Sequence, residues 1–536
     1  MKSIYKILCM MITCGFLVAA CDTDELHDLD INPQAVNEID MNFLFTAAQL
    51  SAASGGSSGD NRFIDWRTNI GMCSYAIQHL ANGGQGGIFP GDRYTHNSET
   101  SHAPFRWGYG DQLKNLADIL QQTGPGGFAE GKNLNMREAS RILRAWRFQR
   151  LTDFYGRIPY FEALKATAED QIFFPQYDTQ SAVYADLLRE LDEASAALNA
   201  SNPDEGFSAA DLFFDGDITK WKRFGYSVML RAAMRVSNVD QSLADTYVAK
   251  AIAGGVMASN DDNVWVPLDI GPSEWQNQNG ISRAFFPGDG GQPSYLSNTL
   301  VDWLKGTDPN SAADDDPRLM ILSGGIVDWS PSEYVVKDAD PLNQKGMPNG
   351  QDQAGLDVIE GFPVVAADTY SRINFLLMQD DEPYMIMNYG EVELLLAEAA
   401  ERGIGGASDA ATHYENGVRA SMQHFTPYDA SLTVDDAAVD AYLATYPYGV
   451  TKPALEMIGE QLWVNGFLNW WESWSNWRRT GFPTLTPVNF PGNETNGTIP
   501  QRLRYPEFEI ANPNFDAGKT TPDEYTTLVW WAGGAD

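Results

Sequence analysis

Apolar residues recur at helical spacing in ten separate segments of this chain, and that recurrence does most to limit its architecture. In 136–155 they fall at Ala139, Ile142, Leu143, Trp146, Leu151 and Phe154. In 181–199 they fall at Val183, Tyr184, Leu187, Leu188, Leu191, Ala194 and Leu198. The segment 218–236 carries Ile218, Trp221, Phe224, Val228 and Ala232, and 410–425 carries Ala411, Tyr414, Val418, Met422 and Phe425 behind Ser408. Steps of three and four residues put such side chains on one helix face, which must be buried against a neighbour. The segments 41–53, 107–122, 242–253, 388–402, 435–445 and 454–477 read the same way, the last with Pro453 near its first turn. Asn135, with Glu138 three residues on, is the expected cap of the 136–155 helix. Helices therefore dominate 41–254 and 384–478. Short connections, with Tyr, Trp, Leu and Ala at the packing positions, predict a mainly α fold of tetratricopeptide-like helix pairs. No strict period accompanies them.

Between the helical blocks, 55–106, 255–383 and 479–536 are rich in Gly, Pro, Asn and Asp. They predict a long irregular, loop-rich subdomain, with short strands at Val264–Leu268 and Val335–Lys337. Loops of this length inside a compact chain commonly carry function. Their aromatic residues have amide and acidic neighbours. A flat indole or phenol stacks on the apolar face of a sugar ring and leaves the hydroxyls to hydrogen-bonding side chains. On that reasoning the candidate ligand residues are Trp275 with Asn277 and Asn279, Trp66 with Arg67 and Asn69, and then Tyr75, Trp265, Trp329 and Tyr334. Gln78 and Asp328 stand near them in sequence. The same rings serve equally well to anchor their loops on the helices. Trp470, Trp474 and Trp477 share a helix face, with Trp471 about 100° from Trp470. They read as core, as do Trp107, Trp146 and Trp221.

Residues 1–20 have the character of a lipoprotein signal peptide. Lys2 and Lys6 precede an apolar run from Ile7 to Ala20, shorter than the ~20 residues a spanning helix needs. The run ends Ala19-Ala20-Cys21, which makes Cys21 the expected acylation site. Residues 21–40 hold Asp22, Asp24, Glu25, Asp28, Asp30, Glu38 and Asp40 and no Lys or Arg, as an acidic tether would. The fold then occupies 41–536. Cys73, the other cysteine left after processing, reads as a small buried hydrophobe. With 72 Asp and Glu against 36 Lys and Arg, the chain would repel a phosphate backbone, so no nucleic-acid partner is expected. There is no Gly-x-Ser-x-Gly elbow, His-Glu-x-x-His helix or phosphate loop. Neither a catalytic site nor a cofactor is expected, and Asp314, Asp315 and Asp316 give only a faint hint of structural calcium, without EF-hand spacing.

Three segments carry a family resemblance. They are Ala145–Tyr160, containing Tyr155-Gly156-Arg157-Ile158-Pro159-Tyr160; Asn388–Ala400, ending Leu396-Ala397-Glu398-Ala399; and Trp474–Pro483, containing Trp477-Arg478-Arg479-Thr480-Gly481-Phe482-Pro483. With Asn32-Pro33, Asp316-Pro317-Arg318-Leu319, Arg504-Tyr505-Pro506, Glu509 and Asn512, the chain resembles the SusD/RagB family of outer-membrane lipoproteins. The resemblance implies a SusD-like α superhelix of four tetratricopeptide-like pairs with an irregular subdomain. It also implies a non-catalytic, surface-exposed, lipid-anchored protein of the outer membrane. Such a protein binds oligosaccharide or peptide nutrients on its loop-rich face and hands them to a SusC-like TonB-dependent barrel. From the residues alone, a secreted glycoside hydrolase or a helical-repeat adaptor without small ligands remains an alternative.

Overall fold

The computed structural model describes residues 39–53, 63–83, 89–166, 171–202, 204–271, 277–285, 294–308, 310–330, 333–515 and 523–536. The expected signal peptide, Cys21 and most of the tether lie outside the described residues. Those from Met41 onward belong to one folding unit.

Among the described residues, twelve longer helices order that unit: α1 (Met41–Ala53), α2 (Ser98–Trp107), α3 (Leu113–Gln122), α4 (Leu134–Tyr155), α5 (Gln180–Ala197), α6 (Ile218–Val236), α7 (Gln241–Gly254), α8 (Tyr389–Arg402), α9 (Ala410–Gln423), α10 (Asp436–Thr445), α11 (Ala454–Asn465) and α12 (Trp470–Thr480). They pack as sequence neighbours: α4 on α5, α6 on α7, α8 on α9, and α11 on α12. The apolar stripes face inward as the spacing requires, with Trp146, Trp221, Trp470 and Trp474 at 1% exposure or less. Cys73 is fully buried, and its thiol is pushed well above the ordinary range by that burial. No described helix is long and apolar enough to cross a membrane.

Several boundaries differ from the sequence reading, each for a physical reason. The α4 cap is not Asn135. The Asp204 carboxylate, far along the chain, accepts from the backbone N–H groups of Leu134, Asn135 and Met136 at 2.9, 2.5 and 3.0 Å. It thereby satisfies three of the free N–H groups that open any helix. The single helix expected over 454–477 is two. Gly466 lies between them where a Cβ would fall 2.0 Å from Ser473 Oγ, and Leu468 turns the chain with φ 73°. Within 55–106, read as loop, a π-helical stretch (Asp65–Ser74) and α2 are both regular. The polar residues that hide the pattern there, Asp65, Thr68, Asn69 and Ser74, are all buried.

The insertion between α7 and α8 holds most of the strands: β2 (Val264–Val266), β3 (Tyr295–Leu296), β4 (Ser323–Ser330), β5 (Glu333–Asp338), β6 (Ser371–Ile373) and β7 (Tyr384–Met387). With β1 (Leu80–Ala81) they form a five-stranded antiparallel sheet in the order β1-β3-β6-β4-β5 and a two-stranded sheet β2–β7. β2 takes the first three residues of one expected strand, Val264–Leu268, and β5 spans the other, Val335–Lys337.

The helical blocks are joined by buried ion pairs. Arg231 of α6 grips Glu391 of α8 with two hydrogen bonds of 2.7 and 2.6 Å, both side chains almost wholly enclosed. Arg235, one turn on, pairs with Glu472 of α12 and lies 3.4 Å from Asp153 of α4, which also accepts from the Tyr184 hydroxyl of α5. Arg479 of α12 and Arg402 of α8 share Glu398. Burial alone would raise the Glu398 carboxyl, but the Arg479 and Arg402 guanidiniums outweigh it and hold that group below its ordinary value. Arg147 and Arg478 are buried and Arg150 is partly so, and none of the three pairs closely with an acid. Arg147 donates to the Ser51 carbonyl, Arg150 lies 3.5 Å over Trp471, and Arg478 lies 3.9 Å over Trp474 while donating to the Asp153 and Gln501 carbonyls.

Removing one member of a buried pair strands its partner's charge, at a cost of about 3–5 kcal/mol. Arg231→Met is expected to lower the unfolding free energy by about that amount in urea titrations. Exposed Arg189, paired with Asp186 and Glu193, is the control, and its change to Met is expected to cost about 1 kcal/mol or less.

Candidate functional site

A cavity of about 720 Å³ opens where three loops meet. One wall is Gln78, which precedes β1; the second is the start of a short helix, Asn298–Leu304; the third is the turn 486–491. Residues 348–352 complete the rim. Gln78 takes a left-handed backbone, φ 58°, and clamps the other walls together. Its Nε2 donates to the Thr486 carbonyl at 2.6 Å, and its Oε1 accepts from Thr299 Oγ1 at 2.7 Å. Its own carbonyl accepts from Ser297 Oγ, which also caps the short helix. The Tyr94 hydroxyl accepts from the Val488 N–H at 3.2 Å and fixes the turn from behind.

The lining is polar and nearly neutral. It carries the amides of Asn298, Asn349, Gln351 and Asn489 and the hydroxyls of Thr299 and Thr486. Pro348, Pro487 and Pro491 supply apolar surface, and Phe490 the aromatic ring. Arg93 stacks 4.4 Å from the Phe490 ring while donating to the Gln351 carbonyl at 2.6 Å, so the ring is held from outside the cavity. Among the described lining residues only Asp352 is charged, and it caps the helix Gln353–Glu360 through the Gly355 N–H. Beneath the floor, Asn349 Nδ2 donates to the Leu80 carbonyl and to Asp92 at 2.7 and 2.9 Å. Asp92 is 1% exposed, and burial pushes its carboxyl up to about 7. Such a recess offers many neutral donors and acceptors and one flat ring. It suits an uncharged, hydroxyl-rich ligand.

None of the residues singled out in the sequence lines this cavity, although Gln78, their neighbour, does. Asn69, Tyr75 and Asn279 are corrections, because they belong to the interior. Asn69 is fully buried, donates to Asp65 and the Leu468 carbonyl and accepts from the Trp471 N–H. The Tyr75 hydroxyl, 1% exposed, bonds Ser294. Asn279 caps the helix Gly280–Phe285 and ties it to the Glu382 carbonyl. Trp66 and Arg67 are partly exposed and stack on each other at 4.0 Å. Trp265 packs edge-on to Tyr428. Asn277, with φ 64°, accepts from the Asp269 N–H through its carbonyl, and Trp275 beside it lies outside the described residues. Trp329 and Tyr334 meet across β4–β5, where Tyr334 stacks on Phe375 at 5.0 Å. That hairpin is the far edge of the sheet, with β4 three and β5 four strand spacings from β1, about 14 and 19 Å across. Nor do the three acids of 314–316 converge. Asp314 accepts from Thr307, Asp315 from the Gly306 N–H, and Asp316 pairs with Arg318. Phe490 and Asn489 were missed because only the prolines on either side marked their turn.

Paired helices carrying an open, amide-lined recess define a protein that binds small polar ligands. The chain matches, over residues 33–506, the SusD-like family described as starch-binding and associating with the outer membrane, and it belongs to that family. Among solved structures it resembles a chitin-binding protein at 30% identity, with 92% of this chain and 100% of that one covered and a TM-score of 0.76. A SusD-like protein, AC2a of the Bacteroidetes, is 25% identical over 92% and 100% of the two chains, with a TM-score of 0.77. A chitin-binding SusD homologue from Flavobacterium johnsoniae shares the fold at 22% identity, covering 92% of this chain and 99% of the other, with a TM-score of 0.72. No curated protein matches the sequence. The chain is thus a glycan-binding, outer-membrane-associated protein of a non-enzymatic family.

Because the folded-state carboxyl of Asp92 is raised, the native protein binds a proton that the unfolded chain has released. That preference weakens the fold as pH rises from about 4 to about 7. Asp92→Asn abolishes the effect. The stability of the Asn variant relative to the parent, from urea unfolding, is therefore expected to increase across this window and then level off.

Proposed function

We propose that this protein is a surface lipoprotein, acylated at Cys21, that captures an uncharged oligosaccharide in the cavity beside Phe490 and passes it to a SusC-like TonB-dependent barrel. The cavity lining carries the reading: amides, hydroxyls and prolines around one ring, with Asp352 as the charged member. A peptide would bring termini and side-chain charges that this lining leaves unpaired. A sugar brings hydroxyls that the amides pair with and a CH face that Phe490 and the prolines cover. The chitin-binding relative at 30% identity adds support for a glycan built of neutral units. The acidic stretch after Cys21 supports a solvated tether between lipid and fold.

Calorimetric titration with maltooligosaccharides and chitooligosaccharides is expected to show binding to one of the two series. Phe490→Ala is expected to weaken it by roughly tenfold or more, through loss of about 1.5 kcal/mol or more of ring contact. Thermal stability should be little changed, since Phe490 is a partly exposed loop residue. Binding of neither series, or an unaltered affinity in the variant, would reject this site. In the native host, Cys21→Ser is expected to abolish labelling by radioactive palmitate and release the protein from the membrane fraction.

A further inference from the structure

The short helix that forms one wall of the cavity borders a second recess. Asn298 and Thr299 line the polar cavity; Asp302 and Trp303, one turn on, line a separate cleft of about 340 Å³. A spacing of four residues places Asn298 and Asp302, and likewise Thr299 and Trp303, on the same face of the helix, about 6 Å apart along its axis. The two recesses therefore adjoin along one helix.

The far wall of the cleft is aromatic. Tyr442 and Tyr446, at the end of α10, have ring centres 5.0 Å apart and face the cleft with Tyr414. Their hydroxyls are fixed: Gln461 Nε2 donates to Tyr442 at 3.0 Å, and Tyr446 donates to the Asp314 carbonyl at 3.0 Å. Trp303 is held from behind, edge-on to Trp463 at 5.9 Å and 5.8 Å from the Arg318 guanidinium. Two groups at the cleft are uncommitted among the described residues. The Trp303 indole N–H has no acceptor, and the exposed Asp302 carboxylate has no ion pair, since the nearby Lys305 ammonium donates to the Leu342 and Gln344 carbonyls. Flat rings with a free N–H and a free carboxylate at the edge supply stacking for a sugar face and partners for its hydroxyls.

We propose that this aromatic cleft is a second subsite for the same glycan, so that one extended chain runs along the helix Asn298–Leu304 and occupies both recesses. The proposal rests on the polar cavity being the primary glycan site. Joining two weak sites through one ligand raises affinity by the effective concentration of the second contact.

The test is calorimetry on the mature chain with a disaccharide and a hexasaccharide of the series that binds. The hexasaccharide is expected to bind roughly tenfold or more tighter than the disaccharide. Tyr446→Ala and Asp302→Ala are each expected to erase most of that advantage while leaving disaccharide affinity unchanged. Thr451→Trp, which fills the cleft from its exposed rim, is expected to do the same and serves if Tyr446→Ala fails to fold. Equal affinity for both lengths, or a hexasaccharide advantage untouched by Asp302→Ala and Thr451→Trp, would overturn the second subsite while leaving the primary site standing. Binding of neither length would instead overturn the primary reading, and this one with it.

Discussion

Everything in this molecule hangs on charges that have been taken out of water. Arg231, Arg235 and Arg479 meet Glu391, Glu472, Glu398 and Asp153 in the interior, and these residues come from α4, α6, α8 and α12. A hydrophobic interface tolerates a shift of a fraction of a helical turn. A two-pronged guanidinium–carboxylate pair does not, because a displaced partner leaves a bare charge in a low-dielectric interior. The network thus fixes the register of the early helices against the late ones across more than two hundred residues of intervening chain. The three segments that carry the family resemblance meet in this network. Asp153 comes from the first, Glu391 and Glu398 from the second, and Arg479 from the third.

A second enclosed hub extends that rigidity to the ligand side. Arg318, fully buried, bonds Asp316 through two nitrogens and also reaches Ser421 of α9 and Gln461 of α11. The Asp316 N–H in turn donates to the carbonyl of Leu304, the last residue of the short helix. Gln461 also orients Tyr442. The helix that borders both recesses is therefore referenced to the helical array as well as to the surrounding loops. Gln78 then fastens the remaining walls to it. Irregular loops hold a defined cavity here because a few polar side chains, each with its partners fixed, span between them.

The helical half of this architecture was legible in the sequence because burial of one face imposes a period that no other structure shares. Ile218–Val236 and Met41–Ala53 follow that period from end to end. Where polar residues occupy the interior the pattern fades, which is why Asp65–Ser74 read as loop. Long-range caps are invisible for a related reason: nothing near Leu134 announces that Asp204 will supply its cap. The candidate site was the least legible part. Loop aromatics were the visible signal, but Tyr75 turned inward, while Trp329 and Tyr334 went to the far edge of the sheet. The cavity is assembled from Gln78, Asn298, Asn349 and Phe490, residues spread over more than four hundred positions of the chain. Their side chains carry no periodicity, and their meeting is decided by the sheet order β1-β3-β6-β4-β5 and by the Gln78 clamp.

If an uncharged glycan lies against Phe490 and the helix Asn298–Leu304, a crystal structure of the protein with a bound oligosaccharide will show a sugar ring over Phe490, with hydroxyls bonded to the Asn298, Gln351 or Asn489 side chains. Ordered sugar found only elsewhere, for example on the Trp329–Tyr334 hairpin, would overturn this placement.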